Sequence, residues 1–151
     1  MKNRNIITAA FTLLGAFSIF AQDMNPDNVP SNLKQNFQKS FPQATDVEWE
    51  MDGQSYKVEF DMNRNEHEIW YATDGTATRT EQELTEAELP QTIKTAISGN
   101  YAGYKVDSIE KTTVNGSSTY EVELEKGWNN EKDVVFNEDG NVIKIEAKDT
   151  S

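Results

Sequence analysis

One ordered series of local signals runs through this chain twice, and that doubling constrains the fold more than any other feature of the sequence. In the first pass Val29-Pro30 opens a short helix, since proline suits the first turn, where an N–H would have no partner. Leu33, Phe37 and Phe41 then fall four apart, an apolar stripe along one helix face, and Pro42 ends the helix. Val47, Trp49 and Met51 alternate with Asp46, Glu48, Glu50 and Asp52, which is the period of a half-buried strand. Asp52-Gly53 turns the chain into a second strand, where Tyr56, Val58, Phe60 and Met62 alternate with Ser55, Lys57, Glu59 and Asp61. A polar turn at 63–66 leads to a third strand at 67–73, with Ile69 and Tyr71 on one face and Trp70 on the other. Asp74-Gly75 then leads to a short fourth strand at 76–80.

The second pass repeats the order. Leu89-Pro90 opens it, Ile93 and Ile97 renew the helical stripe, and Tyr101 and Tyr104 follow. A strand at 106–113 carries Ile109 inward, and Asn115-Gly116 turns the chain. Tyr120, Val122 and Leu124 then alternate with Glu121, Glu123 and Glu125. A longer turn at 127–131 precedes Val134 and Phe136, and Asp139-Gly140 leads into a last strand at 142–146. Pro30 and Pro90 are 60 residues apart, Val58 and Val122 are 64, and Gly75 and Gly140 are 65. The offset grows only at turns, where insertions are tolerated, so the series reads as an internal duplication. Between the passes, Thr85 stands three residues before Glu88, a capping-box pattern that predicts a helical turn.

The fold class that follows is α+β: a tandem repeat of one helix plus a four-stranded antiparallel sheet, with the helices on one face of the sheet. The pattern leaves open whether the eight strands form one sheet or two. The expected segments are a leader signal at 1–21, a flexible stretch at 22–28, a first unit at 29–80, a linker at 81–88, a second unit at 89–146 and a tail at 147–151.

Lys2 and Arg4 ahead of an uncharged, mostly apolar run at 6–20, with small Ala21 after it, have the grammar of a secretory signal peptide. The run is short of the ~20 residues that span a bilayer. The expected location is therefore periplasmic or secreted, after cleavage near Ala21, with no membrane span in the mature form. Of 14 basic residues two lie in that leader, which leaves 12 against 26 acidic ones, a net charge of −14. Such a surface repels nucleic acid and favours cationic partners. With no cysteine, disulfides, a lipobox and a thiol nucleophile are all excluded.

Catalytic constellations are not found. His67 is the only histidine and sits between Glu66 and Glu68 in a strand pattern, with no nucleophile elbow to accompany it. Carboxylates are abundant but fall on alternating strand faces, whereas a glycosidase needs one held neutral by burial. Asp74-Gly75 and Asp139-Gly140 read as hairpin turns rather than calcium loops. No enzyme, metal or cofactor is expected.

The candidate functional surface is the face turned away from the core. Alternation places Asp46, Glu48, Glu50, Lys57, Glu59, Asp61, Glu68, Trp70 and Arg79 there in the first unit. The same parity places Glu121, Glu123, Glu125, Asp133, Val135 and Lys144 there in the second. Acidic residues around an open tryptophan suit the recognition of a basic protein or peptide, with Trp70, Glu48, Glu59, Glu68, Glu121 and Glu123 as contacts. Trp128, at a hairpin tip, is a second anchor. The alternative is an acidic envelope protein that binds divalent cations weakly and collectively. A monomer or weak oligomer is expected.

Phe41-Pro42-Gln43-Ala44 leading to Val47-Glu48-Trp49, the Tyr56-x-Val58-x-Phe60 strand and the Tyr71-x-x-Asp74-Gly75 turn resemble the PepSY-like, beta-lactamase-inhibitor-like family of exported bacterial proteins. Weaker forms recur at Tyr101 to Val106, Tyr120-x-Val122 and Phe136-x-x-Asp139-Gly140. The resemblance covers roughly 29–146, although Gln43 and Ala102-Gly103 depart from the usual Pro-Gly-Ala turn. It implies a beta-lactamase-inhibitor-protein-like fold of tandem helix-plus-strand units and an exported location. It implies no activity, because the family's name rests on fold.

Overall fold

The computed structural model describes residues 22–23, 28–128 and 130–148; the expected leader signal at 1–21, residues 24–27 and the tail beyond 148 lie outside the described residues. Strand β1 (Gln22–Asp23) is followed by helix α1 (Ser31–Ser40) and strands β2 (Thr45–Asp52), β3 (Ser55–Met62), β4 (Asn65–Tyr71) and β5 (Ala77–Glu83). A 3-10 turn (Glu86–Glu88) leads to helix α2 (Gln91–Asn100) and strands β6 (Lys105–Val114), β7 (Ser117–Glu125), β8 (Glu131–Asn137) and β9 (Val142–Lys148).

The nine strands among the described residues belong to one antiparallel sheet, in the order in which they occur along the chain. The question of one sheet or two is thereby closed in favour of one, joined where β5 pairs with β6 from Arg79↔Val114 to Glu83↔Glu110. Strand β5 runs three residues into the stretch expected as linker. Gln22 and Asp23, expected in a flexible stretch, pair with Met51 and Glu50 of β2.

Turn chemistry sets the hairpins. Asn115 and Gly116 both have positive φ, at 50° and 82°, which gives a two-residue turn with the twist antiparallel strands need. Asn63 and Arg64 do the same between β3 and β4, at 57° and 74°, and arginine is an uncommon tenant of that region. The two helices begin and end alike. The Pro30 and Pro90 carbonyls accept the first helical N–H groups, and the Phe41 and Tyr101 N–H groups close the last turns on Phe37 and Ile97. In the connection between β5 and α2, the Thr85 N–H and hydroxyl both reach the Glu88 carboxylate, at 2.8 and 2.7 Å. This is the helical turn that the capping-box pattern predicts.

Two apolar clusters lie under the two helices. Leu33 and Phe37 of α1 pack on Trp49, Val58, Phe60, Ile69 and Tyr71. Ile93 of α2 packs on Ile109, Tyr120, Val122, Leu124, Val134 and Phe136. The register carries Phe60 through His67, Gln82 and Lys111 to Tyr120 and Phe136, so both clusters and both helices share one face of the sheet. Between the clusters that face is polar, with Thr80, Gln82, Lys111 and Thr113 on β5 and β6. Among the described residues no helix is long and apolar enough to cross a membrane.

Candidate functional site

The opposite face of the sheet is dense with carboxylates, because continuous pairing aligns what the alternation places there. Glu48, Glu59, Glu68 and Glu81 stand directly opposite one another on β2, β3, β4 and β5, and Thr112 and Thr119 continue the row. A second row runs Glu83, Glu110, Glu121, Val135 and Lys144 across β5 to β9. Like charges directly opposite each other are destabilising. Two cations reduce the cost. The Lys57 ammonium lies 2.9 Å from Glu68, 3.5 Å from Glu59 and 4.0 Å from Glu50. Arg79 pairs with Glu81, which also accepts from the Thr112 hydroxyl at 3.3 Å.

These cations leave the carboxylates around Glu68 and Glu110 without a matching charge balance. Burial first, and then Glu81 and Glu59, push the Glu68 carboxyl up to about 7 against the pull of Lys57. Burial, with Glu81, Glu121 and Glu68 behind it, pushes Glu110 up to about 8. Glu66 is raised as well, by burial and then by Glu59, Glu83 and Asp61. Lys57 is itself held protonated by Glu68. The ion pair thus secures the lysine's charge without securing the glutamate's, because one ammonium serves three carboxylates while Glu68 also faces Glu81 and Glu59. Carboxylate oxygens of Glu59, Glu66 and Glu68 lie within 4.8 Å of one another.

The expected open tryptophan is not open. Trp70 does face away from the helices, between Lys57 and Arg79 in the register. It is nevertheless only 8 % exposed. The Lys57 ammonium sits 5.3 Å and the Arg79 guanidinium 4.4 Å from its ring centre, and its indole N–H donates to Asp52 at 2.7 Å. The long basic side chains lay their stems over the ring and close it off from solvent. Val135, placed on the same face, is also buried, at 4 %. Trp128 meets the opposite condition: it is 97 % exposed at the turn between β7 and β8.

The candidate residues fall into two groups. Glu48, Glu59 and Glu68 form one continuous row, while Glu121 and Glu123 both lie on β7, three strands away from Glu68. Glu123 accepts from the Ser108 hydroxyl at 3.1 Å. Glu66, Glu81, Glu83 and Glu110 belong to the same face and were not singled out from sequence. For Glu110 the signal was available, since Ile109 pointing inward sends Glu110 outward. His67, on the other face, stacks on Phe60 with ring centres 5.2 Å apart, and burial lowers its pKa.

Two cavities lie at corresponding places beside the helices. One of about 440 Å³ is lined by Lys34, Phe37, Gln38, Phe41, Pro42 and Ala44 with Val47 and Trp49. The other, of about 630 Å³, is lined by Lys94, Ile97, Ser98, Tyr101, Ala102 and Tyr104, among others. Each residue of the second set stands 60 positions after its counterpart in the first.

A family described as "Putative beta-lactamase-inhibitor-like, PepSY-like" matches the chain twice, over residues 8–64 and 54–144. A BLIP-like protein from Bacteroides fragilis is 26% identical, with a TM-score of 0.62 over 81% of this chain and 89% of its own. A DUF2874 family protein from Bacteroides uniformis is 20% identical, with a TM-score of 0.65 over 78% and 88%. A protein from Bacteroides eggerthii described as "putative periplasmic" is 17% identical, with a TM-score of 0.66 over 78% and 88%. Among curated proteins none matches.

Proposed function

This chain belongs to the beta-lactamase-inhibitor-like, PepSY-like family, and on that premise we propose that it is an exported, non-catalytic binding module whose acidic sheet face takes a basic protein or peptide. The observation that carries this reading is the row Glu48, Glu59, Glu68 and Glu81, flanked by Glu110, where two carboxyls retain protons near neutral pH. Lysine or arginine side chains from a partner would replace those protons and relieve the repulsion. The raised carboxyls owe their state first to burial and then to like charges beside them on a sheet surface, and the cavities lined by Phe37 and by Ile97, among the described residues, lie beside the helices instead. That separation supports a binding role over a catalytic one. Export is supported by the leader pattern at 1–21 and by the "putative periplasmic" relative.

We further read the chain as a tandem duplication of one helix and four strands. The paired helices, each opened by a proline and closed on an aromatic N–H, and the corresponding cavities support it. The duplication is one of scaffold, since Trp70 stands where the second unit has Val135 and only the second unit carries Trp128.

Titration calorimetry with a decalysine peptide tests the binding role. Binding at low salt that weakens about tenfold or more near 0.2 M salt is expected, because exposed charges are screened. Glu59→Lys with Glu121→Lys should abolish it. Absence of binding at low salt, or indifference to both reversals, overturns the reading. The proximity of Glu59, Glu66 and Glu68 favours a second reading, a weak divalent-cation site. Calcium should then raise the melting temperature, and no shift at millimolar calcium would exclude it.

A further inference from the structure

The two edges of the sheet are built differently. On the β1 side, β2 carries a register shift between Thr45 and Glu48, with Asp46 at a φ of 51°, and its acids line the edge. A bulge and a row of charge are the ordinary means by which an edge is kept from pairing. On the other side β9 pairs, among the described residues, with β8 alone, and it leaves Val142, Ile143 and Ile145 exposed at 41 %, 57 % and 53 %. A strand with open backbone groups and three exposed aliphatic side chains is a template for another strand.

The sequence of β9 identifies that strand. In β9, Ile145 pairs with Val134 on the helix-bearing face, while Lys144 and Glu146 pair with Val135 and Asp133 on the acidic face. An antiparallel copy of β9 centred on Ile145 brings Lys144 opposite Glu146 of the second copy, and Glu146 opposite its Lys144. Ile145 then meets itself, and Ile143 meets Ala147. Moving the centre to Lys144 sets two lysines face to face, and moving it to Glu146 sets two glutamates face to face. Cross-strand opposite charges stabilise and like charges destabilise, so the charge pattern selects one register. Lys144 and Glu146 already form an ion pair within the chain, and the dimer would join two such pairs into a four-charge cluster.

We propose that β9 is the contact of a symmetric dimer, in which a second copy of this chain adds its own β9 antiparallel, centred on Ile145, to extend the sheet across a twofold axis. The register shift at Ile143 limits the new ladder to about five residues a side. So small an interface suits a weak, isologous association, with a Kd on the order of 10–100 μM. The proposal is independent of the binding role assigned to the acidic face.

Sedimentation equilibrium on the chain from Gln22 to Ser151, which contains every described element, tests it. A monomer–dimer equilibrium in that concentration range is expected. Lys144→Glu alone and Glu146→Lys alone should each weaken it tenfold or more. The double variant, with the two charges exchanged, should restore it, and an equimolar mixture of the two single variants should associate with each other while neither does so alone. That mixture also shows that the single variants are folded. A chain that stays monomeric at several hundred micromolar, leaving the edge to a strand from a different protein, overturns the proposal. So does a dimer that neither reversal weakens.

Discussion

The Arg79 guanidinium lies 4.4 Å from the centre of the Trp70 ring and closes the side of the indole that strand alternation leaves open. With Lys57 on the neighbouring strand and Asp52 on the indole N–H, Trp70 is a fixture of the sheet surface rather than an anchor for a partner. The Arg79 Nε, sealed in this packing, has no hydrogen-bond partner among the described residues. Trp70→Ala should destabilise the fold by about 3 kcal/mol, in the range for removing a buried aromatic. Trp70→Phe, which keeps the stacking and loses the bond to Asp52, should cost about 1–2 kcal/mol. Urea denaturation measures both. The Phe variant should bind a cationic peptide as the parent does.

Gly140 and Gly75 occupy corresponding turns but different surroundings. Both have positive φ, at 82° and 87°. A side chain at Gly140 would meet the Thr92 carbonyl oxygen at 2.8 Å, whereas at Gly75 it would meet nothing within 4 Å. The β8–β9 turn is pressed onto the start of α2, where the Thr92 hydroxyl donates to the Glu138 carbonyl at 2.8 Å. Gly75→Ala should therefore cost about 1 kcal/mol, the backbone strain alone. Gly140→Ala should cost about 3 kcal/mol, because strain and a backbone clash add. Equal melting-temperature losses in the two variants would show that the contact with α2 contributes nothing.

Acid should stabilise this protein over the range in which most proteins are indifferent. Glu110 titrates at about 8 in the folded state against an ordinary value of 4.5, and Glu68 at about 7. Between pH 4.5 and 8 the folded chain thus holds protons that the unfolded chain has released, so stability falls as pH rises through that window. Glu110→Gln removes the larger part of this dependence. It should raise stability by about 1–2 kcal/mol at pH 8, a value discounted for solvent screening at a half-buried face, and by little at pH 5. Melting curves at the two pH values give the comparison directly.

The sequence made the hairpins legible because Asn-Gly and Asp-Gly turns sit between strands of strict alternation. It did not make the join between β5 and β6 legible. There the helix-bearing face carries Thr80, Gln82, Lys111 and Thr113, so no apolar period marks a buried strand, and the alternation read from sequence ends the fourth strand at Thr80. That one loss hid the most perturbed part of the acidic face. Glu110 is pushed upward chiefly by burial and by Glu81, and Glu81 approaches it only because the two halves form a single sheet. The burial of Trp70 escapes the sequence for a similar reason. Alternation reports the face on which a side chain stands, while its exposure depends on neighbours one strand away, here Lys57 and Arg79.

A cation that binds the acidic face must compete with protons, and this gives a signature that simple charge attraction lacks. At pH 7.5, Glu110 is mostly protonated and Glu68 partly so. A lysine-rich peptide seated over the glutamate row lowers both pKa values and expels protons. Calorimetric titrations in buffers of different ionisation enthalpy should therefore register release of about half a proton to one proton per complex at that pH. The release should fade above pH 9, where both carboxyls are already ionised, and affinity should climb between pH 6 and 9. Glu110→Gln should reduce the release while leaving salt-sensitive binding in place. Heats independent of the buffer at pH 7.5 would place the peptide elsewhere on the surface, away from Glu68 and Glu110.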